Sequence, residues 1–191
     1  MHPAMPICPC QINPDSDTVM SPVAYQDCCK PYHDAFYNDE VDKASGTKAE
    51  TAERLMRTRY SAFVLIKPEY IVKTTVPAQQ ALLDVAAIES WAKETDWAGL
   101  EIVEHTPKLG KRHAQVEFRA YFNTKDITAS LEEKIQAHHE LSAFVKIKNK
   151  AAGNSERWYF LDPTVAMTVS QKQPCFCGSG EKFKRCCGGF I

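Results

Sequence analysis

The sequence predicts an α+β domain that carries a small cysteine-rich module at each end. Three features of the 191 residues support this fold class. Helical periodicity runs from residue 47 to residue 95, period-two alternation recurs between residues 100 and 161, and the cysteines are confined to the two ends. Helices followed by antiparallel strands are typical of a sheet with its helices packed on one face. With 44% hydrophobic residues, the chain has enough apolar material for a core.

Three helices are expected after an irregular beginning. Thr47 and Glu50 have the spacing of a capping box and predict the start of the first helix, which Pro68 ends. Two further helices are predicted over 69–74 and 79–95, the second with apolar residues along one stripe.

Four strands follow, each recognised by apolar residues at alternate positions. The clearest is 114–122, in which Ala, Val and Phe alternate with Gln, Glu, Arg and Tyr. The others are predicted around 100–102, 141–147 and 158–161.

The eight cysteines form two sets with the same order, Cys-x-Cys and later Cys-Cys. Four thiolates in two short pairs suit a tetrahedral zinc ion, and four protein ligands leave no open position for water. Adjacent cysteines have Cα atoms only ~3.8 Å apart, less than the usual disulfide range of ~4.4–6.8 Å. We therefore expect one or two structural zinc ions, with cross-paired disulfides, redox chemistry and all-thiolate iron as alternatives. The expected ligands are Cys8, Cys10, Cys28 and Cys29 in the front set and Cys175, Cys177, Cys186 and Cys187 in the back set.

Composition and charge narrow the class of protein. The formal net charge of −1 argues against a general nucleic-acid binder. No apolar run is long enough to cross a bilayer, and the first residues lack the pattern of a signal peptide. A cytoplasmic protein without a membrane segment is therefore expected. Nucleic-acid or ribosome association through the basic residues near the carboxyl end remains a weaker hypothesis; these are Lys172, Lys182, Lys184 and Arg185.

The back set of cysteines resembles the SEC-C motif, a zinc-binding module at the carboxyl end of the preprotein translocase motor SecA. The resemblance covers 174–188, which reads PCFCGSGEKFKRCCG and includes both cysteine pairs and the Gly-Ser-Gly turn. The front set matches less closely, because seventeen residues separate Cys10 from Cys28 where eight separate Cys177 from Cys186. In SecA the related module contacts a chaperone, so the resemblance implies a protein partner.

The whole chain resembles the uncharacterised bacterial YchJ-type family. The motifs that carry the resemblance are LMRTRYSAF at 55–63, WAGL at 97–100, ELSAF at 140–144 and WYFLD at 158–162. The family implies a cone-shaped antiparallel sheet wrapped by helices, similar to nuclear transport factor 2, with a central pocket and a SEC-C-like motif at each end. We divide the chain into an amino-terminal cysteine module with a linker (1–46), a central domain (47–168) and a carboxyl-terminal zinc module (169–191).

Four residues are candidates for the central pocket: Arg59, Tyr60, Trp91 and His139. Strand parity places His139 with Leu141 and Ala143, on the side expected to face inward, and His138 on the outward side. His139 is therefore the candidate acid–base group, although a strand-end histidine more often makes one hydrogen bond and no chemistry. An enzyme is the less favoured interpretation, because it rests on analogy of fold.

The sequence thus favours a zinc-stabilised protein with an adaptor role, in which the terminal modules bind a protein partner. The alternative is a small enzyme or ligand carrier that uses the central pocket. Loss of zinc is expected to unfold the termini locally and to spare the central domain. A homodimer is a further possibility, through outward-facing Tyr121 and Phe144.

Overall fold

The centre of the protein is a four-stranded antiparallel sheet with the strand order β1-β2-β3-β4. The computed structural model describes residues 7–15, 22–37, 47–126, 128, 130, 134–149 and 155–191. All four predicted strands are confirmed, and each is longer than its apolar alternation indicated. The strands are β1 (Asp96–Leu109), β2 (His113–Asn123), β3 (Ile135–Asn149) and β4 (Ser155–Leu161).

Five α-helices precede the sheet in the described part of the chain. They are α1 (Lys30–Tyr37), α2 (Ala52–Val64), α3 (Pro68–Lys73), α4 (Pro77–Gln80) and α5 (Val85–Glu94). Short 3₁₀ turns lie beside the cysteines, at Pro9–Gln11, Tyr25–Asp27, Phe183–Arg185 and Cys187–Gly189.

Two of the predicted helix boundaries are wrong. The first long helix is capped by Thr51, whose Oγ1 accepts a hydrogen bond from the Arg54 backbone N–H at 3.0 Å. The expected partner of Thr47, Glu50, instead accepts a hydrogen bond from the Tyr32 hydroxyl at 2.7 Å. The helix predicted over 79–95 is two helices, because Asp84 accepts from the Ala87 N–H and begins a new helix at this point.

The two faces of the sheet are covered by different parts of the chain. The helix face packs against α2 and carries Ala114, Val116, Phe118 and Phe144. The opposite face, which we call the module face, carries Ala143, Val145, Tyr159 and Leu161, and these pack against the carboxyl-terminal cysteine segment. The sheet is therefore buried on both sides where β2, β3 and β4 lie next to the carboxyl-terminal segment.

This arrangement contradicts the dimer contact expected from Tyr121 and Phe144. Phe144 is fully buried on the helix face. Tyr121 lies on the module face and is almost fully buried, and its hydroxyl lies within hydrogen-bond distance of the carboxylates of Asp15 and Glu101. The two rings therefore point to opposite sides of the sheet and cannot form one exposed patch. No helix in the described ranges is both long and apolar enough to cross a bilayer.

Candidate functional site

The front cysteines form one buried cluster. The thiols of Cys8, Cys10, Cys28 and Cys29 all lie within 4.8 Å of one another, and Cys8 and Cys29 are completely buried. The Sγ atom of Cys10 lies 3.6 Å from the Sγ atoms of Cys8, Cys28 and Cys29. Zn–S bonds of about 2.3 Å at tetrahedral angles require S–S distances of about 3.8 Å. The four side chains therefore fit a tetrahedral zinc ion, and all eight cysteines of the chain are free thiols.

Helix α2 supplies polar groups that surround this front cluster. The Ser61 hydroxyl lies 3.3 Å from the Cys29 sulfur and 3.5 Å from the Cys8 sulfur. The Arg54 guanidinium lies 3.7 Å from the Cys28 sulfur and brings positive charge to a site that gains negative charge when thiols ionise. The front cysteines belong to the same hydrophobic cluster as Leu55 and Phe118, so this site is part of the central core.

Gly99 allows the front segment to lie against β1. The Leu100 N–H donates to the Ile12 carbonyl at 2.7 Å, and Gly99 has a φ of +156°. A Cβ atom at Gly99 would lie 2.6 Å from Cδ of Pro14 and 2.7 Å from the Ile12 oxygen. The glycine of the WAGL motif is therefore required by a close backbone contact.

The back cysteines form a second buried cluster. The thiols of Cys175, Cys177, Cys186 and Cys187 lie within 4.8 Å of one another, and the Cys177 and Cys186 sulfurs are 3.5 Å apart. Gly178 and Gly180 have φ values of +74° and +79°, which make the tight turn that the Gly-Ser-Gly sequence predicted. The hydroxyl of Ser179 in this turn lies 3.3 Å from the Cys186 sulfur.

Because the sulfurs of each cluster lie within 4.8 Å of one another, a negative charge on one thiol opposes ionisation of the others. A hydrogen bond from Cys10 lowers the pKa of Cys8, while hydrogen bonding to Cys10 and Cys8 raises the pKa of Cys29. In the back cluster, a hydrogen bond from Cys187 lowers the pKa of Cys177 and the same contact raises the pKa of Cys187. A divalent cation would remove this conflict, because it stabilises all four thiolates at once.

His113 connects the back cluster to the sheet, a role that sequence patterns did not indicate. This first residue of β2 places Nε2 3.5 Å from the Cys187 sulfur and 3.9 Å from the Cys186 sulfur. Its ring stacks on Phe190 with a centroid distance of 4.5 Å. Burial lowers the pKa of His113, which favours the neutral ring with one N–H available to a thiolate.

A cavity of about 590 Å³ lies between the helices and the helix face of the sheet. Three of the four predicted pocket residues, Arg59, Tyr60 and Trp91, line it. Its wall is largely apolar and aromatic. The other lining side chains include Met56, Phe63, Ile71, Ile88, Trp97, Phe118, Ala120, His138, Glu140, Ser142, Phe160 and Asp162.

The expected acid–base residue, His139, does not line the cavity. It lies on the module face with its side chain 49% exposed, and Nε2 is 2.7 Å from Glu117 Oε1. His138 lines the cavity instead, with Nε2 3.0 Å from Glu140 Oε2, and Glu140 Oε1 accepts from the Ser142 hydroxyl. Strand parity correctly predicted that His138 and His139 lie on opposite faces of the sheet. It assigned the pocket to the wrong face, because the apolar side of β3 packs against the cysteine module.

The central domain and the two cysteine clusters together define a nuclear transport factor 2-like protein with cysteine modules at both ends. Three family models match the chain: "YchJ, middle NTF2-like domain" over 51–163, "YchJ family protein, N-terminal zinc binding domain" over 2–37, and "SEC-C motif" over 172–189. The chain belongs to the YchJ family, whose curated relatives are named UPF0225 proteins.

Two relatives and two solved structures illustrate the similarity. A UPF0225 protein of Actinobacillus succinogenes is 44% identical over 97% of this chain and 98% of its own length. One from Haemophilus influenzae strain PittEE is 46% identical over 96% of this chain and 93% of its own length. The crystal structure of a SEC-C motif containing protein from Psychrobacter arcticus has a TM-score of 0.87 and 69% identity, covering 97% of both chains. A solution structure from Rhodopseudomonas palustris has a TM-score of 0.55 and 31% identity, covering 75% of this chain and 92% of its own.

Proposed function

We propose that each cysteine cluster binds one structural Zn²⁺ ion and that the central cavity binds a small, largely apolar molecule. The zinc ions would hold the two end segments, 1–46 and 169–191, on the central domain, 47–168. Four thiols complete a tetrahedral shell and leave no position for water or substrate, which supports a structural role over a catalytic one.

The cavity is the observation that carries the ligand-binding part of the proposal. Its volume of about 590 Å³ is within the range of about 300–1,000 Å³ that is common for small-molecule sites. Aliphatic and aromatic side chains make up most of the wall, and a few polar groups converge on it. If the site is catalytic, His138 is the residue placed to transfer a proton, because Glu140 orients its ring.

A neutral apolar fluorophore, N-phenyl-1-naphthylamine, tests whether the cavity takes a ligand. Trp91 and Trp97 line the cavity, so we expect saturable binding at one probe per chain with energy transfer from tryptophan. Ala120→Phe narrows the cavity and should weaken binding by at least about tenfold. The matched variant Ala137→Phe adds the same ring at an exposed position of β3 and should bind normally. Equal binding by the two variants, or none by the folded zinc-loaded chain, would contradict the proposal.

The adaptor role remains a second candidate, supported by exposed cations on the back module. Lys182, Lys184 and Arg185 project to solvent beside the buried cysteines, and a partner with an acidic surface would complement them. We expect capture of such a partner by the intact chain to weaken with salt and to be lost when these three residues are changed to Glu. The control Lys108→Glu/Lys111→Glu reverses exposed charges elsewhere and should retain capture. Capture that survives the triple change would exclude this surface.

A further inference from the structure

Arg59 is a buried cation in the wall of the cavity. Only 5% of the residue is exposed, and its position on α2 places it at the side of the cavity formed by α3 and β4. Burying a guanidinium group is costly unless its charge and its N–H groups find partners. The partners of this side chain therefore indicate what kind of molecule the cavity accepts.

One end of the Arg59 guanidinium is fully engaged by the protein. Its Nη1 atom donates to the Ile71 carbonyl at 2.8 Å and to the hydroxyls of Thr74 and Thr75 at 2.7 and 3.3 Å. The Phe160 ring covers the guanidinium, with Cζ 4.4 Å from the ring centroid. These contacts fix the orientation of the group.

The other edge of the guanidinium, formed by Nε and Nη2, has no acceptor among the residues that the structure describes. No hydrogen bond joins either nitrogen to any of the residues the structure describes, since all three that Arg59 donates leave from Nη1. Two parallel N–H groups on one edge of arginine match the two oxygens of a carboxylate. The geometry points to a ligand with an apolar body and one carboxylate, which Arg59 binds through its Nε–Nη2 edge. This inference rests on the ligand-binding function proposed above and adds the chemical class of the ligand.

Among the described residues, no carboxylate is in contact with the Arg59 guanidinium, and the negative charges of Asp162 and Glu140 act on it from a greater distance. The three carboxylates on the cavity wall have donors of their own. Asp84 accepts from the Ala87 N–H, Glu140 from His138 and Ser142, and Asp162 from the N–H and hydroxyl of Thr164.

Burial also makes the charged form of Arg59 less stable than usual. Desolvation lowers the pKa of Arg59 to about 10, although the more distant charge of Asp162 partly opposes this effect. A ligand carboxylate would oppose it further. The apolar body of the ligand would contact the aromatic wall that includes Trp91, Trp97 and Phe118.

Three probes with the same tail test the inference on the unmodified zinc-loaded chain: octanoate, 1-octanol and octylammonium. Calorimetry should show one octanoate per chain, bound at least about tenfold more tightly than 1-octanol, because a hydrogen-bonded ion pair replaces a neutral contact. Octylammonium should bind most weakly, because it places two cations together. Binding of none of the three would overturn the proposed ligand-binding function itself. Binding of 1-octanol or octylammonium as tightly as octanoate would overturn the carboxylate inference alone.

Variants at Arg59 show whether this side chain is responsible for the preference. Arg59→Met should bring octanoate and 1-octanol to equal affinity, and Arg59→Lys should keep part of the preference, since it retains charge but loses the paired N–H groups. Arg119→Met is the matched control, because Arg119 lies on the module face and pairs with Glu101. A full octanoate preference in folded Arg59→Met would exclude Arg59. If Arg59→Met does not fold, the three probes on the unmodified chain still decide the ligand class.

Discussion

Replacing Cys29 by Ser is expected to remove the front zinc ion and to destabilise the central domain as a whole. Cys29 is completely buried in the same hydrophobic cluster as Leu55 and Phe118, and its sulfur lies 3.3 Å from the Ser61 hydroxyl of α2. Loss of a structural metal is one of the few single changes that lower the free energy of unfolding by more than about 4 kcal/mol. Urea unfolding followed by tryptophan fluorescence, with zinc content measured on the same sample, tests this expectation.

Ser61→Ala is the control for this experiment. It removes a hydroxyl beside the cluster but no metal ligand, so it should retain zinc and lower the free energy of unfolding by only about 1 kcal/mol. The contrary result would be a Cys29→Ser chain that loses zinc while its unfolding midpoint stays unchanged. That result would restore the sequence-based expectation that the front module unfolds by itself.

Replacing Cys187 by Ser is expected to release the carboxyl-terminal segment from the sheet. Cys187 is completely buried, and its sulfur lies 3.5 Å from His113 at the start of β2. Without the back zinc ion, Val145 and Leu161 on the module face would lose their cover. Uncovering these side chains should lower the free energy of unfolding by about 3 kcal/mol. Hydrogen exchange should also become faster in the part of β3 that contains Val145.

The helix face should be much less affected by this change than the module face. Phe144 packs between the sheet and the helices and does not contact the back module, so its surroundings should stay protected. Ser179→Ala removes a neighbour of Cys186 without removing a ligand and should keep zinc. If hydrogen exchange in β3 stayed unchanged after loss of the back zinc ion, this ion would not be what holds the carboxyl-terminal segment on the module face.

Local signals explain what could be predicted from the sequence. Alternation along 114–122 is a local property and predicted β2 correctly. The spacing of each cysteine set predicted four ligands around one point, and the structure brings them within 4.8 Å of one another. Neither prediction depends on knowledge of the tertiary contacts.

The errors arise where an apolar position has two possible partners. Leu141, Ala143 and Val145 were expected to face the pocket because they are apolar, but two of them pack against the cysteine module and Leu141 is exposed. The more polar side of β3, which carries His138 and Glu140, lines the cavity. Alternation shows that two faces differ, but it does not show which face meets which element.

The same limitation explains why the position of the front cluster was not predicted. Its place at the beginning of the chain suggested an independent module, whereas contacts with α2 and β1 make it part of the central core. Such long-range contacts cannot be recognised from the sequence. The close approach of Ile12 and Pro14 to β1 is indicated there only by Gly99.

The central claim is that each cysteine cluster binds one structural zinc ion. Its most direct test is the metal content per chain, measured by elemental analysis of protein purified under reducing conditions without chelator. Two zinc ions are expected in the unmodified chain, and one each in Cys29→Ser and Cys187→Ser. This result would establish two separate structural sites, each dependent on its own cysteines. An unmodified chain that contains no zinc while folding normally, or that contains iron in its place, would contradict the claim.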